Sequence, residues 1–299
     1  MAATNFKDSL RGTLAVAAVL CVVCSLVVSG AAVSLRDEQE DNAELDQQKN
    51  ILDAAGLAVA EYGRPASALE PDKIEELYGW VSEKLVNLED GSYNEELNPA
   101  DYDFIVAASD PNLSIEIVDP DYDIGESRRQ KVSKVFFVKR PGSEKVQQVV
   151  LPIHGKGLWG TLYGYLALKN DLNTIAGITF YQHKETPGLG GEVDNPSWKA
   201  QWQGQKLYDE NGDPAAEVYK GPAPETDPYA VDGLSGATIT SRGVTNLVRY
   251  WASDDGYGPF LDRLKAEMNG EPAPPNTVDD GEVDGDDIEE APAVQNKIN

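Results

Sequence analysis

The stretch VDGLSGATITSRG, Val231 to Gly243, sets two glycine-spaced turns and a cluster of hydroxyls ahead of an apolar stripe. Val244, Leu247, Val248 and Trp251 recur at spacings of three and four, so the pattern predicts an amphipathic helix beginning around Ser241. Ser235, Thr238 and Thr240 therefore lie in a turn feeding a helix N-terminus, and Asp232 stands just upstream. No histidine or cysteine lies near enough in sequence to activate these hydroxyls. A reactive serine in a GxSxG elbow is also not what these residues spell.

Upstream lie short runs rich in β-branched and aromatic residues: Phe104–Ala107, Ser114–Val118, Val132–Val138, Val146–Ile153, Thr161–Leu168 and Thr174–Tyr181. Two helices are expected before them, over Ser34–Tyr62, broken by Gly63 and Pro65, and over Pro71–Leu88, with Ile74, Leu77, Val81 and Leu85 on one face. A short last helix starts at Pro259. The fold class expected is α+β on an antiparallel or mixed sheet, spanning residues 34–269.

No charge interrupts Thr13 to Val33, and a helix of that length spans roughly 31 Å, the thickness of a bilayer core. Ser29-Gly30-Ala31 fits a signal-peptidase site, but the apolar run is long for a cleaved signal, so residues 13–33 are read as an anchor. Lys7 and Arg11 precede the span, whereas Arg36 is followed at once by Asp37, Glu38, Glu40 and Asp41. This asymmetry places residues 1–12 in the cytoplasm and the large domain across the membrane. Cys21 and Cys24 lie inside the span and read as small apolar residues. With 51 acidic and 25 basic residues, the net charge of −26 argues against nucleic-acid binding. Residues 270–299, with nine acidic side chains, four prolines and no aromatic, are expected to be a disordered acidic tail.

Three glycine-rich stretches punctuate the strand region: His154–Gly160, His183–Gly191 and the motif around Ser235. They could rim one pocket. A hydrolase built from His183, Glu185 and Ser235, or a metal site from His154, His183 and Glu185, can be sketched but lacks recognisable spacing. Taken alone, both histidines read better as polar loop residues.

Asp232-Gly233-Leu234-Ser235-Gly236-Ala237-Thr238 resembles the Asp-x-x-Ser/Thr-Gly-Ala-Thr flavinylation motif of bacterial FMN-binding domains, and His183–Gly190 resembles that family's second signature. Together with the apolar span and the helix QQKNILDAAGL, these motifs make Lys7–Asn269 similar to C subunits of sodium-translocating NADH:quinone reductases. The resemblance implies FMN held covalently on Thr238 by a phosphoester that a flavin transferase installs, with Asp232 serving recognition by that enzyme. Ser235 and Gly236 would let backbone amides approach the phosphate, and small Ala237 would leave Thr238 accessible. Leu189 would cover a ring face, Gly190 would let backbone approach it, and Glu185 and Thr186 would bond its polar edge. Trp159 is a candidate ring contact or a core residue.

The function implied is electron relay in an inner-membrane respiratory complex, passing electrons that originate in NADH toward quinone through partner subunits. The chain has no GxGxxG fingerprint with which to bind NADH itself, and its span has no charge with which to line an ion path. The alternatives are the G subunit of an Rnf-type ferredoxin:NAD oxidoreductase and a flavin-free anchored scaffold.

Overall fold

The computed structural model describes residues 10–143 and 145–272; residues 1–9 and most of the expected acidic tail, 273–299, lie outside the described residues. The helices are α1 (Leu10–Ser34), α2 (Arg36–Ala54), α3 (Leu57–Tyr62), α4 (Pro71–Tyr78), α5 (Phe104–Ser109), α6 (Pro196–Ala200), α7 (Thr238–Ala252) and α8 (Gly258–Asn269). The strands are β1 (Val81–Asn87), β2 (Tyr93–Asn94), β3 (Ser114–Glu116), β4 (Arg128–Gln130), β5 (Val132–Val138), β6 (Gln148–Lys156), β7 (Thr161–Lys169), β8 (Ile175–Gln182), β9 (Glu217–Val218) and β10 (Ala230–Val231).

The main sheet has six antiparallel strands in the order β2-β1-β5-β6-β7-β8. Alternation along β5 divides its side chains between two cores. Phe136 and Val138 pack with Ile51, Leu52, Ile74 and Leu77 of α2 and α4. Val135 and Phe137 pack on the other side with Val244, Leu247, Trp251 and Phe260 of α7 and α8. The sheet is thus covered on both faces, which explains why β5 to β8 read as nearly unbroken apolar runs rather than as alternating ones. The fold is α+β, as expected from the sequence.

Helix α1 is long and apolar enough to cross a membrane, and its side chains from Leu14 to Val33 are exposed. Leu35, at φ −101°, separates α1 from α2 but bonds to both: its amide donates to Ala31 O and its carbonyl accepts from Gln39 N, each at 3.0 Å. The helix expected over Ser34–Tyr62 is divided at Gly56, which has φ +66°. The helix expected over Pro71–Leu88 stops at Tyr78 and gives way to β1, because the spacing of four that links Leu77, Val81 and Leu85 also fits the two-residue period of a strand. Pairing of Val81–Asn87 with β5 decides the outcome. Phe104–Ala107 is helical rather than extended, since the Asp103 carboxylate accepts from the amides of Ile105 (2.8 Å) and Val106 (3.2 Å) and caps α5.

Helix α7 reaches the sheet through two glycines. A Cβ on Gly243 would stand 2.3 Å from Lys156 O, and one on Gly155 would stand 2.8 Å from Leu247 Cβ. This close crossing brings the α7 N-terminus to the end of the sheet that carries the β6–β7 turn.

Candidate functional site

Helix α7 starts at Thr238, three residues earlier than the sequence pattern suggested. A turn precedes it, closed by Ala237 N donating to Leu234 O at 3.0 Å, with Gly236 at φ +71°. Ala237 occupies the N-cap position and provides no side-chain bond. The first intrahelical donor is Ser241 N, to Ala237 O (2.9 Å). The amides of Thr238, Ile239 and Thr240 precede it at the positive end of the helix dipole.

The four hydroxyls here divide sharply. Thr238 and Ser235 are exposed. Thr240 is fully buried and donates to Glu185 Oε2 at 2.5 Å, while Ser241 Oγ accepts from Leu234 N at 3.1 Å. Only the first two can meet another molecule without breaking an internal bond.

Glu185 ties the three glycine-rich stretches together. Its buried carboxylate accepts from Thr240 through Oε2 and from the Trp159 amide through Oε1 (2.9 Å). Glycine makes room for it: a Cβ on Gly157 would approach Glu185 Oε1 to 2.6 Å, and one on Gly190 would approach Oε2 to 2.5 Å. This corrects the role expected for Glu185. A carboxylate spent on two internal donors joins the loops and is not offered to the polar edge of a ring.

Around this tie the surface is open and apolar. Trp159 is 66% exposed, so it is no core residue, and Leu189 and Ile239 are 43% and 48% exposed. Leu189 reaches the motif directly, since a Cβ on Gly236 would lie 3.0 Å from Leu189 Cδ2. Thr186 is exposed, and its carbonyl closes the Pro187-Gly188 turn by accepting from the amides of Leu189 (3.1 Å) and Gly191 (2.9 Å). Gly190 is buried against Glu185 and Thr240. Beside Thr238 runs a groove of about 240 Å³, and Lys220 and Arg242 line it. Sequence patterns hold no hint of this groove, because Lys220 arrives from a segment well upstream of the motif.

Asp232 is engaged within its own surroundings. Its Oδ1 accepts from Ala223 N (2.7 Å) and its Oδ2 from Gln201 Nε2 (3.1 Å), while its carbonyl accepts from Trp198 Nε1 (2.7 Å). It fixes the approach of the motif to α7.

The histidines belong to structure. His183 Nδ1 accepts from the Glu185 amide at 3.1 Å, which leaves the ring proton on Nε2, 2.7 Å from Asp194 Oδ2. His154 is buried among Phe104, Tyr163 and Trp251, shares a hydrogen bond with Gln130 Oε1 (3.2 Å), and is pushed down to about 4 by burial, so it is neutral at pH 7. Neither arrangement supports the hydrolase sketch. Among the described residues no group of three or more His, Cys, Asp or Glu side chains could hold a metal ion.

Residues 157–253, which contain all of Gly157, Glu185 and Thr238, match the FMN-binding domain family. The chain is 42% identical over 261 residues to the C subunit of the Na(+)-translocating NADH-quinone reductase of Yersinia pestis, covering 87% of this chain and 94% of that one. It is 44% identical over 263 residues to the corresponding protein of Pseudomonas aeruginosa, covering 87% of this chain and 97% of that one. The fold is similar to the crystal structure of Shewanella oneidensis NqrC, with a TM-score of 0.66 and 35% identity over 75% of this chain and 99% of that one. The chain belongs to the family of C subunits of the Na(+)-translocating NADH-quinone reductase, an oxidoreductase complex.

Proposed function

We propose that this domain carries FMN joined through its phosphate to Oγ1 of Thr238, and that it relays electrons between partner subunits of a sodium-translocating NADH:quinone reductase. The observation that carries the reading is the exposed Thr238 hydroxyl at the first position of an uncapped helix, bordered by exposed Trp159 and Leu189. Uncapped amides suit a phosphate, and in the adjoining groove Lys220 and Arg242 outnumber Glu217, which Arg249 pairs. Ser235 and Gly236 shape the turn, and buried Ala237 leaves the outward side of Thr238 clear. Trp159, Leu189 and Ile239 offer apolar surface to a flat ring, with the Thr186 hydroxyl at their edge. The residues fit the group.

Bound FMN would supply reversible electron transfer, which no side chain of this chain provides. The chain's own part is to hold and orient it. The Glu185 tie fixes the Trp159 turn relative to α7, and the Asp232 bonds hold the motif in place for the flavin transferase that would attach the group during maturation. With both carboxylate oxygens occupied, Asp232 would aid recognition chiefly by fixing the shape of this loop. Helix α1 is proposed as an uncleaved inner-membrane anchor with the N-terminus cytoplasmic and the domain periplasmic. A covalent link then has a reason, since FMN lost outside the cytoplasm would have no local supply.

The test is mass spectrometry of the full chain co-expressed with a flavin transferase. The FMN mass is expected on Thr238, abolished in Thr238→Val and partly retained in Thr238→Ser. Finding it on Ser235, or still present in Thr238→Val, would overturn the assignment. A colourless denatured chain would favour the scaffold reading, and co-purification with a ferredoxin-oxidising assembly would favour the Rnf-type one. Complete release of the chain by alkaline extraction of membranes would remove the anchor.

A further inference from the structure

We infer that the acidic segment Val278–Glu290 docks back onto a lysine-lined groove at the far end of the sheet from Thr238. The groove has a volume of about 520 Å³ and is bordered by Lys84, Lys139, Lys145, Tyr93, Leu264 and Met268. It lies where β1 begins and β5 ends, with the β7–β8 turn contributing Asn170, whereas the motif lies beyond the β6–β7 turn. Among the described residues none of these three lysines forms an ion pair, in a chain of net charge −26. Lys84 Nζ instead stands 4.2 Å from the centre of the Tyr93 ring. Among the described residues one carboxylate, Glu267, shares the groove and accepts from Tyr93 Oη at 3.2 Å.

The occupant is chosen by where the chain goes next. Leu264, Glu267 and Met268 belong to the last turns of α8, so the chain leaves α8 at the rim of the groove. Gly270, at φ +74°, caps the helix, and the following amide, Glu271 N, donates to Ala266 O at 2.9 Å. The seven residues from Glu271 to Thr277 span at most roughly 25 Å when extended, enough to turn back over a groove that borders their point of departure. From Asp279 to Glu290 there are eight carboxylates, interspersed with Val283 and Ile288. Lysines above an apolar floor of Leu264, Val146 and exposed Met268 match that composition. The larger groove of about 590 Å³ does not, because Asp121, Asp209, Asp213, Asp254 and Asp262 line it and would repel the segment.

The test is carbodiimide coupling of the full-length protein in detergent, with the isopeptides mapped by peptide mass spectrometry. Docking predicts that most tail-to-lysine links fall on Lys84, Lys139 and Lys145, and that they drop severalfold in about 1 M salt, where the screening length is ~3 Å. Deleting residues 273–299 should also raise acetylation of Lys139 and Lys145 about threefold while leaving exposed Lys184 and Lys220 unchanged. Links shared evenly among lysines on other faces, unchanged acetylation after the deletion, or mixed-isotope links between ¹⁴N and ¹⁵N chains would each overturn the inference.

Discussion

Strand β7 enters from one hairpin turn and leaves through another, and the two are fastened differently. The β7–β8 turn is gathered around its own aspartate and is also bonded by Lys206, Leu207 and Tyr208. Asp171 accepts from the amides of Asn173 (3.1 Å) and Thr174 (2.7 Å), from Thr174 Oγ1 (2.5 Å) and from Lys206 Nζ (3.3 Å), while Leu172, at φ +55°, tucks its side chain into the core. The β6–β7 turn closes on itself by Gly157 N donating to Gly160 O (2.8 Å) and Lys156 Nζ donating to Thr161 Oγ1 (2.9 Å), leaves Leu158 and Trp159 in solvent, and relies on Glu185 from another loop. A turn that only has to connect strands is filled with bonds from its own aspartate and from a neighbouring segment, and its central side chain goes into the core. A turn that presents apolar surface is fastened from a distance, so that its outer side stays free.

This contrast is sharpened by substitutions whose cost to stability should descend in a definite order, measured by urea unfolding of the full-length protein. Glu185→Ala strands the Trp159 amide and the Thr240 hydroxyl and should cost about 3 kcal/mol. Glu185→Gln, which keeps an acceptor, should cost less than half as much. Equal losses from the two would mean that the bonds are not what fastens the loops. Thr240→Val should cost about 1–2 kcal/mol by leaving one side of the same carboxylate unpaired.

At the other turn, Asp171→Asn should cost about 1 kcal/mol at pH 7, a figure reduced because that carboxylate is nearly half exposed. Partial burial raises the Asp171 carboxyl, but the hydrogen bonds from Thr174, Asn173 and Lys206 outweigh it and bring the group from 3.8 to about 2. A depressed carboxylate stabilises the fold above its unfolded value, so its contribution is full above about pH 4 and fades as pH falls toward 2. The gap between wild type and Asp171→Asn should therefore narrow over that window, and a gap that widened instead would reverse the assignment. Thr238→Val should change stability by less than about 0.5 kcal/mol, because its hydroxyl is exposed. Two threonines a helical step apart would then differ severalfold.

Much of the scaffold was legible in the sequence because its periods were unambiguous. The uncharged run from Thr13 to Val33 and the stripe Val244, Leu247, Val248 and Trp251 both read as helix. Val81 and Leu85 were ambiguous, since a spacing of four serves helix and strand alike until β5 is in place to pair with them. Phe104–Ala107 carried a usable signal that apolar content obscured: Asp103 before a short run is a cap. At the site, the turn that feeds α7 followed from the glycine spacing, although exposed Thr238 and buried Thr240 looked alike there. The duty of Glu185 did not follow, because its partner Thr240 lies 55 residues away, and only the fold reveals that the carboxylate faces inward.

The two backbone bonds that Leu35 makes, one back to α1 and one on to α2, link the helices into a shaft, and a shaft transmits rotation as well as height. Its exposed stretch around Glu38–Asn42 stands between the apolar part and the point at which Ile51 and Leu52 enter the core. With α1 fixed in a bilayer, each residue inserted there would lift the domain by about 1.5 Å and turn it by roughly 100°. Two extra residues would swing Thr238 and Trp159 to nearly the opposite bearing for a rise of only about 3 Å, whereas seven would restore the bearing to within ~20° at a cost of about 10 Å in height. Angular register would thus be tuned separately from distance, and the compass direction of the site relative to neighbouring subunits would be written in the length of one helix.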